Sequence, residues 1–414
     1  MWLGERKYAW GLLSILWIIG CIGALSRFVM AYYQVTIADD FDVGRTYISI
    51  AWSTNLLIAA ISAPIGGWLV DKHGAKLILI ISVIIGAIGS LLVYLFPNPV
   101  TFFLAFGLLS GLIGLGATTS FTLVIQWFQL RRGMALTILN SASPLGLAII
   151  TPLFVQAEGL TWNIAFLLSA LLSFCLVVPL TAFFMRNGAS NKSESETVAP
   201  PAQKNLTRWQ SFKHHLATAV STPVMPIIIL ALFACGFHMG TVEMNMVAIH
   251  QHAHVSPSEI ALAVSLLGLM EVLGSFIFGY MLDKISRSLA LALLYGIRSI
   301  GFVFLFLHLD ATPILFSILF GAAYNTTVPG SLLLAQETTK GSATQTGFLL
   351  LFHQGGGVIA ALMAGVLFDI LGNYQLHIGL DAAFGVMTAL GFCWVHFHLR
   401  KQKRQREHQA QLSL

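Results

Sequence analysis

Four ionisable residues fall inside stretches of chain that are otherwise apolar: Arg27, Glu243, Glu271 and Arg298. A charge at the centre of a bilayer costs roughly 2.5–3.5 kcal/mol on insertion scales, so such residues face a cavity or a partner. A guanidinium offers a planar fork of donors that matches a carboxylate in bidentate fashion, which makes Arg27 the candidate site for an organic anion. Its alternatives are a standing ion pair with Glu243 or Glu271, or snorkelling towards the surface. A glutamate near an arginine and an apolar wall can gain a proton on one side of a membrane and lose it on the other. Glu271, near the middle of its stretch, is the first candidate for that role, and Glu243 is the second. Arg298 is expected in structural pairing.

Other chemistries find little support. His250, His252 and His254 alternate, but they share a face only in an extended segment, and no Cys or acid stands nearby at ligand spacing, so no metal is expected. Cys21, Cys175, Cys235 and Cys393 lie within apolar runs without close spacing and read as buried filler rather than disulfides. The glycine runs GLLSGLIGLGATTS and FHQGGGVIAA lack the strand-to-helix setting and the lysine of a phosphate loop, and read as close helix contacts. No nucleophile–base set points to an enzyme, and no cofactor is expected.

The elements that must hold the four charges follow from composition. Of 414 residues 57% are hydrophobic and 9% charged, against about a quarter charged in a soluble domain. Long continuous apolar runs such as LILIISVIIGAIGSLLVYLF exclude a barrel of short alternating strands and require helices of about 20 residues. Polar breaks divide the chain into twelve spans near 9–33, 47–70, 76–96, 100–126, 134–157, 162–185, 224–249, 259–282, 288–308, 312–335, 342–368 and 374–398. The first, preceded by Glu5, Arg6 and Lys7, is expected to be an uncleaved span rather than a signal peptide. This is an all-α membrane protein in two six-helix halves, 1–185 and 224–398. A polar linker at 186–223 joins them, and a basic tail at 399–414 follows.

Arg45 alone among the basic residues falls on the face opposite the termini, while Arg27 and Arg298 fall within spans. The positive-inside rule then puts both termini in the cytoplasm of a cell that carries the chain as a multi-pass protein of its plasma or inner membrane. The basic tail serves topology and lipid contact rather than nucleic acid. The two halves also repeat. Gly67, Asp71 and Lys72 in GGWLVDKHGAK stand 212 positions before Gly279, Asp283 and Lys284 in FGYMLDKISRS. The glycines are expected to permit close helix approach, and the acids to cap and charge-pair a short turn. The same offset carries Arg27 to the neighbour of His238, a group able to donate to an anion or carry a proton. Duplicated six-span halves are the plan of a secondary transporter with a site at the midplane. Asn325 and Thr326, with Thr118 and Thr119, are polar groups for that cavity or for hydrogen bonds between helices.

The segment Gly67–Lys76, with Gly74 inside it, resembles the loop motif of the major facilitator superfamily. Within it the chain is most similar to the monocarboxylate transporters and their bacterial relatives. QWFQLRRGMALTILNSASPLG matches in order and spacing through Trp127-Phe128, Arg131-Arg132, Ala135 and Ser143-Pro144-Leu145-Gly146. Arg27 in SRFVMAYY falls where members carry a basic residue, and CGFHMG and FHQGGGVIAALMAGVLFDILGNY resemble bacterial members. Two departures stand out. The family's Asp-Gly-Gly opening is reduced to Tyr8-Ala9-Trp10-Gly11, and Ser275 occupies the place of the arginine that many members carry four residues after the acid, here Glu271.

The resemblance implies a first span lining a central cavity and symport of a small monocarboxylate, lactate- or pyruvate-like, with a proton by alternating access. Its partners are a small organic anion, the proton and the lipid bilayer, and the chain is expected to act as a monomer. The alternative is a proton-antiporting exporter of an amphipathic drug or siderophore-like compound.

Overall fold

A computed structural model describes residues 5–157, 159–186, 222–339 and 343–412. Among them twelve helices are long and apolar enough to cross a membrane. They are α1 (Lys7–Asp40), α2 (Arg45–His73), α3 (Ala75–Leu95), α4 (Pro99–Trp127), α5 (Met134–Gln156), α6 (Trp162–Phe184), α7 (Met225–His252), α8 (Pro257–Leu282), α9 (Arg287–Leu307), α10 (Thr312–Thr338), α11 (Phe348–Leu371) and α12 (Gln375–Gln409). The architecture is all α, as the apolar runs require, and boundaries agree with the expected spans to within a turn or two at most ends. The linker residues 187–221 lie outside the described residues.

The chain packs as two compact units that cut across the halves of the sequence. The first joins α1–α6 to residues 240–269 and 358–374, which are the end of α7, the start of α8 and the end of α11. Its core is built by Phe28, Phe102, Phe106 and Phe166 with Met244 and Ala361. The second holds residues 222–239, 270–357 and 375–412, with a core around Leu291, Tyr295, Phe348 and Phe392.

Among the interrupted helices, two breaks meet a glycine of a neighbouring helix. In α4 the backbone passes from a wide π-helical stretch, Phe103–Leu109, to a tight one, Ser110–Gly116. In α10 the first segment stops at Ala322 and a second starts at Thr327. Pro329 lacks an N–H and its ring crowds the carbonyl four residues back, so a continuous helix through Asn325 is disfavoured. Within the first unit a Cβ on Gly66 would collide with the backbone of Leu115 in α4. Within the second, a Cβ on Gly274 of α8 would collide with the backbone of Ala322 in α10.

These contacts correct one expectation. Gly67 and Gly279, the glycines of the repeated motif, have open space where a Cβ would stand. They sit one residue and five residues beyond the glycines that carry the contact, on other faces of their helices. The glycine runs do make close contacts: Gly111 and Gly114 lie against Asn55 and Ala59 of α2, and Gly356 against Phe233 of α7.

The turn after α2 also differs from expectation. Asp71 is exposed and caps nothing among the described residues, because it lies in the last turn of α2 rather than at the start of α3. Gly74 closes the turn instead, with φ 87° and an N–H donated to Val70 O at 2.8 Å. That backbone region suits glycine. The Asp283 side chain lies outside the described residues. The repeat carries an element the motif did not announce. Lys72 sits over the ring of Trp68 at 5.4 Å, and Lys284 over Tyr280 at 5.5 Å, each four residues apart on one helix face. Trp68 is 60% and Tyr280 66% exposed, as suits amphipathic rings at a membrane interface.

Candidate substrate cavity

Small residues bring α1 and α5 together. Gly20 faces Ala142, and Gly146 faces the backbone of Cys21. This approach puts Ser143 beside Arg27, whose Nη1 donates to Ser143 Oγ at 2.8 Å. The other arm of the guanidinium, Nη2, lies 2.6 Å from Glu243 Oε1 of α7. α7 is held against α1 by Gln34, which donates its side-chain amide to Met244 O.

Arg27 and Glu243 line one cavity of about 440 Å³ in the first unit, shared by α1–α4, α6 and α7. That volume fits a small organic molecule. Its wall is largely apolar and aromatic, with Ile22, Trp52, Leu56, Phe106 and Phe166, and with Asn55, Ser82 and Ser169 among its few polar groups. Asn55 is committed to the π-helical stretch of α4, donating to Phe106 O at 2.7 Å. Trp52 is different. Its indole Nε1 is buried and has no acceptor among the described residues. The ring lines the cavity while this atom is sealed from it, so the donor reaches cargo only if the side chain turns. Sequence reasoning passed over both Trp52 and Ser143. Ser143 stood within the quoted SASPLG match, but only the packing of α1 on α5 reveals its partner.

The other expected residues lie elsewhere. Thr119 is fully buried and bonds back to Gly116 O of its own helix at 2.6 Å, away from the cavity wall. The remaining three belong to the second unit. His238 is fully buried, with Nε2 2.9 Å from Asp381 O and its ring 4.8 Å from that of Phe302. Glu271 is buried, and its backbone carbonyl accepts from Ser275 Oγ at 2.6 Å and from Asn325 Nδ2 at 3.5 Å. Ser275, standing in the family arginine's place, therefore serves the helix backbone. The structure brings together Arg27 with Glu243, and separately Glu271 with Asn325.

Arg298 is fully buried in the second unit. Its donors reach Ala323 O, Tyr324 O, Thr327 Oγ1 and Cys235 Sγ at 2.7–3.4 Å. The carbonyls are those freed by the break in α10. In the first unit, Asp369 accepts from the backbone N–H groups of Arg45 and Thr46 at 3.0 and 2.8 Å, capping α2. Arg45 stacks on Phe368 at 3.6 Å and donates to Tyr374 Oη at 2.6 Å. Burial pushes the Tyr374 phenol up against the pull of that guanidinium, so it stays protonated. His252 meets Phe368 edge-on at 5.2 Å, and α7 remains helical through it, so the alternating histidines do not form one face. Among the described residues no group of three His, Cys, Asp or Glu could hold a metal ion.

Comparison with known proteins places the fold. The family model described as Major Facilitator Superfamily matches residues 16–358 and, in a second match, 228–413. The chain is 25% identical over 394 residues to the uncharacterized MFS-type transporter YcxA of Bacillus subtilis (strain 168), covering 92% of each. It is 24% identical to the hexuronate transporter of the same organism, over 91% of this chain and 92% of that one. It is 22% identical to monocarboxylate transporter 12 of Mus musculus, over 86% and 78%. Among solved structures, the nucleoside transporter NupG (D323A mutant) superposes with a TM-score of 0.75 at 15% identity, covering 94% of this chain and 99% of that one. With twelve apolar helices in this fold and a family match along nearly its whole length, the chain belongs to the Major Facilitator Superfamily of membrane transporters and is not an enzyme.

Proposed function

We propose that this transporter carries a small monocarboxylate together with a proton, and that Arg27 and Glu243 couple the two. The observation that carries the reading is the 2.6 Å pair on the wall of an apolar cavity. In the empty site Glu243 neutralises Arg27. A proton on Glu243 removes its charge and loosens its hold, and the substrate carboxylate takes its place on the guanidinium fork. Ser143 keeps Arg27 aimed, and Trp52 Nε1 supplies a further donor to the cargo once its ring turns towards the cavity.

The site holds the same net charge before and after loading, so anion and proton cross as a neutral package. A lone anion would instead work with or against about 2.3 kcal/mol per 100 mV. The relatives named for hexuronate and monocarboxylate transport support a carboxylate cargo in general. Within this reading Glu243 is the proton carrier, and Glu271 supports the packing of α8 on α10. The protein works by alternating access as a monomer in a cell membrane, with two six-helix halves and both termini in the cytoplasm, as the distribution of Lys and Arg supports.

Uptake of labelled lactate into proteoliposomes under an imposed pH gradient tests this. Wild type accumulates lactate when the outside is acidic. Glu243→Gln keeps lactate counterflow but no longer accumulates it in response to the gradient. Absence of uptake and counterflow for lactate, pyruvate and longer carboxylates sinks the carboxylate reading. The apolar, aromatic wall then favours export of an amphipathic compound, scored by dye efflux from the same vesicles.

A further inference from the structure

A second cavity, of about 490 Å³, lies in the other unit, where α8 turns into α9 beside the end of α12. Its lining joins Arg287, Arg400 and His396 to Ser286, Ser288 and Glu337. Two permanent cations and a titratable imidazole thus face one carboxylate. Glu337 is spent on Arg287 at 2.7 Å, which leaves Arg400 as the uncompensated charge of the set.

Ser286 is the N-cap residue of α9, yet its hydroxyl does not cap the helix. It lies 2.8 Å from His396 Nδ1 instead. The first-turn N–H groups of a 21-residue helix are therefore without a side-chain cap, and Ser286, Arg287 and Ser288 of that turn line the cavity. Uncapped helix N–H groups beside guanidinium forks suit an anion with several oxygens, such as a phosphate.

The depth of the cavity identifies the source. α12 is 35 residues long, about 52 Å at 1.5 Å per residue, against about 30 Å of hydrocarbon. Its sequence turns from apolar to basic at Leu399–Arg400, and both residues line the cavity. Exposed amphipathic rings stand on the same helices, Trp394 on α12 and Tyr280 near the end of α8. Such rings mark the headgroup level of a bilayer. A basic cavity at that level faces lipid phosphates.

We propose that this cavity binds the phosphate of an anionic phospholipid headgroup, with Arg400 and Arg287 as its cationic ligands. The proposal is independent of what the transporter carries. Native mass spectrometry of the detergent-solubilised full chain, titrated with phosphatidylglycerol, measures it. Wild type binds phosphatidylglycerol more tightly than phosphatidylcholine. Arg400→Gln weakens phosphatidylglycerol binding about fivefold, the effect of one basic residue near a lipid phosphate. Glu337→Gln, which removes the competing carboxylate, strengthens it. Arg404→Gln, the same change of charge one turn beyond on the exposed tail, leaves it unaltered.

Equal weakening by Arg400→Gln and Arg404→Gln overturns the proposal in favour of general attraction by the tail. Equal binding of the two lipids overturns it as well. A third arm adds millimolar inorganic phosphate. Displacement of phosphatidylglycerol only at concentrations far above those of the lipid supports a lipid site, whereas phosphate binding as tight as the lipid's overturns it.

Discussion

Arg27 and Arg298 are both arginines within membrane-crossing helices, and their surroundings differ in one decisive respect. Arg298 is fully buried and held mainly by main-chain carbonyls that cannot change their charge. Arg27 keeps a side chain 37% exposed on a cavity wall and is held by the carboxylate of Glu243, which can. A guanidinium saturated by backbone acceptors is part of the architecture. One neutralised by a titratable partner beside empty space can exchange that partner for another carboxylate. Position within a span does not separate the two roles; the identity of the acceptors does.

Removing Arg298 is expected to have the largest effect. Arg298→Gln is expected to cost several kcal/mol, since each buried carbonyl left without a donor costs about 1–3 kcal/mol. Arg298→Lys fares little better, since a point charge cannot satisfy several acceptors arranged for a fork. Both changes appear as loss of monodisperse protein in size-exclusion chromatography, and a normal melting profile for either shows that Arg298 is not structural. Arg27→Gln should do the reverse, leaving the melting temperature within a few degrees. Transport efficiency for the carboxylate falls on the order of a hundredfold, from two charge-assisted hydrogen bonds lost. Arg27→Lys should retain part of it, and unchanged affinity in both variants removes Arg27 from the site.

Trp52→Phe makes a smaller test of the same wall. Losing one neutral donor raises KM about threefold to tenfold, with folding unchanged because the ring still packs. If KM for the carboxylate does not move, the indole N–H contributes nothing to cargo binding.

The least effect is expected at Glu5, an anionic mirror of Arg298. Its Oε1 accepts from the N–H groups of Gln129, Leu130 and Arg131 at 2.6–3.0 Å. Burial pushes this carboxyl up, but the three N–H groups and the Arg131 charge outweigh burial and hold it below its usual value. A depressed carboxyl stabilises the fold above the unfolded value, about 4.3, and loses that contribution as pH falls through the folded value. Glu5→Gln should therefore lower the melting temperature by a few degrees at neutral pH, and the gap from wild type should close in acid. A gap independent of pH shows that packing, not charge, is what Glu5 supplies.

The sequence disclosed the charges and their helices and narrowed the partner of Arg27 to Glu243 or Glu271, but did not choose between them. Arg27 and Glu243 were each legible as ionisable residues in apolar runs. Their pairing depends on how α1 meets α7, and no local pattern encodes that. For Arg298 the difficulty was different: its acceptors are carbonyls of Ala323 and Tyr324, groups every residue possesses, made available only by a helix break. Pro329 disfavours a continuous α10, but nothing local links it to an arginine one helix earlier. The glycines show the same limit. Gly66 and Gly67 are adjacent in the sequence, yet only Gly66 meets a neighbouring backbone, because consecutive residues on a helix point about 100° apart.

The contact made by Glu5 also bears on how the chain is built. Its three partners lie 124 to 126 residues downstream. During synthesis the first helix enters the bilayer long before residues 129–131 leave the ribosome. The extreme N-terminal segment cannot be fastened until α4 has been made and its following turn has emerged. The seam therefore closes only after four of the first six helices have been made.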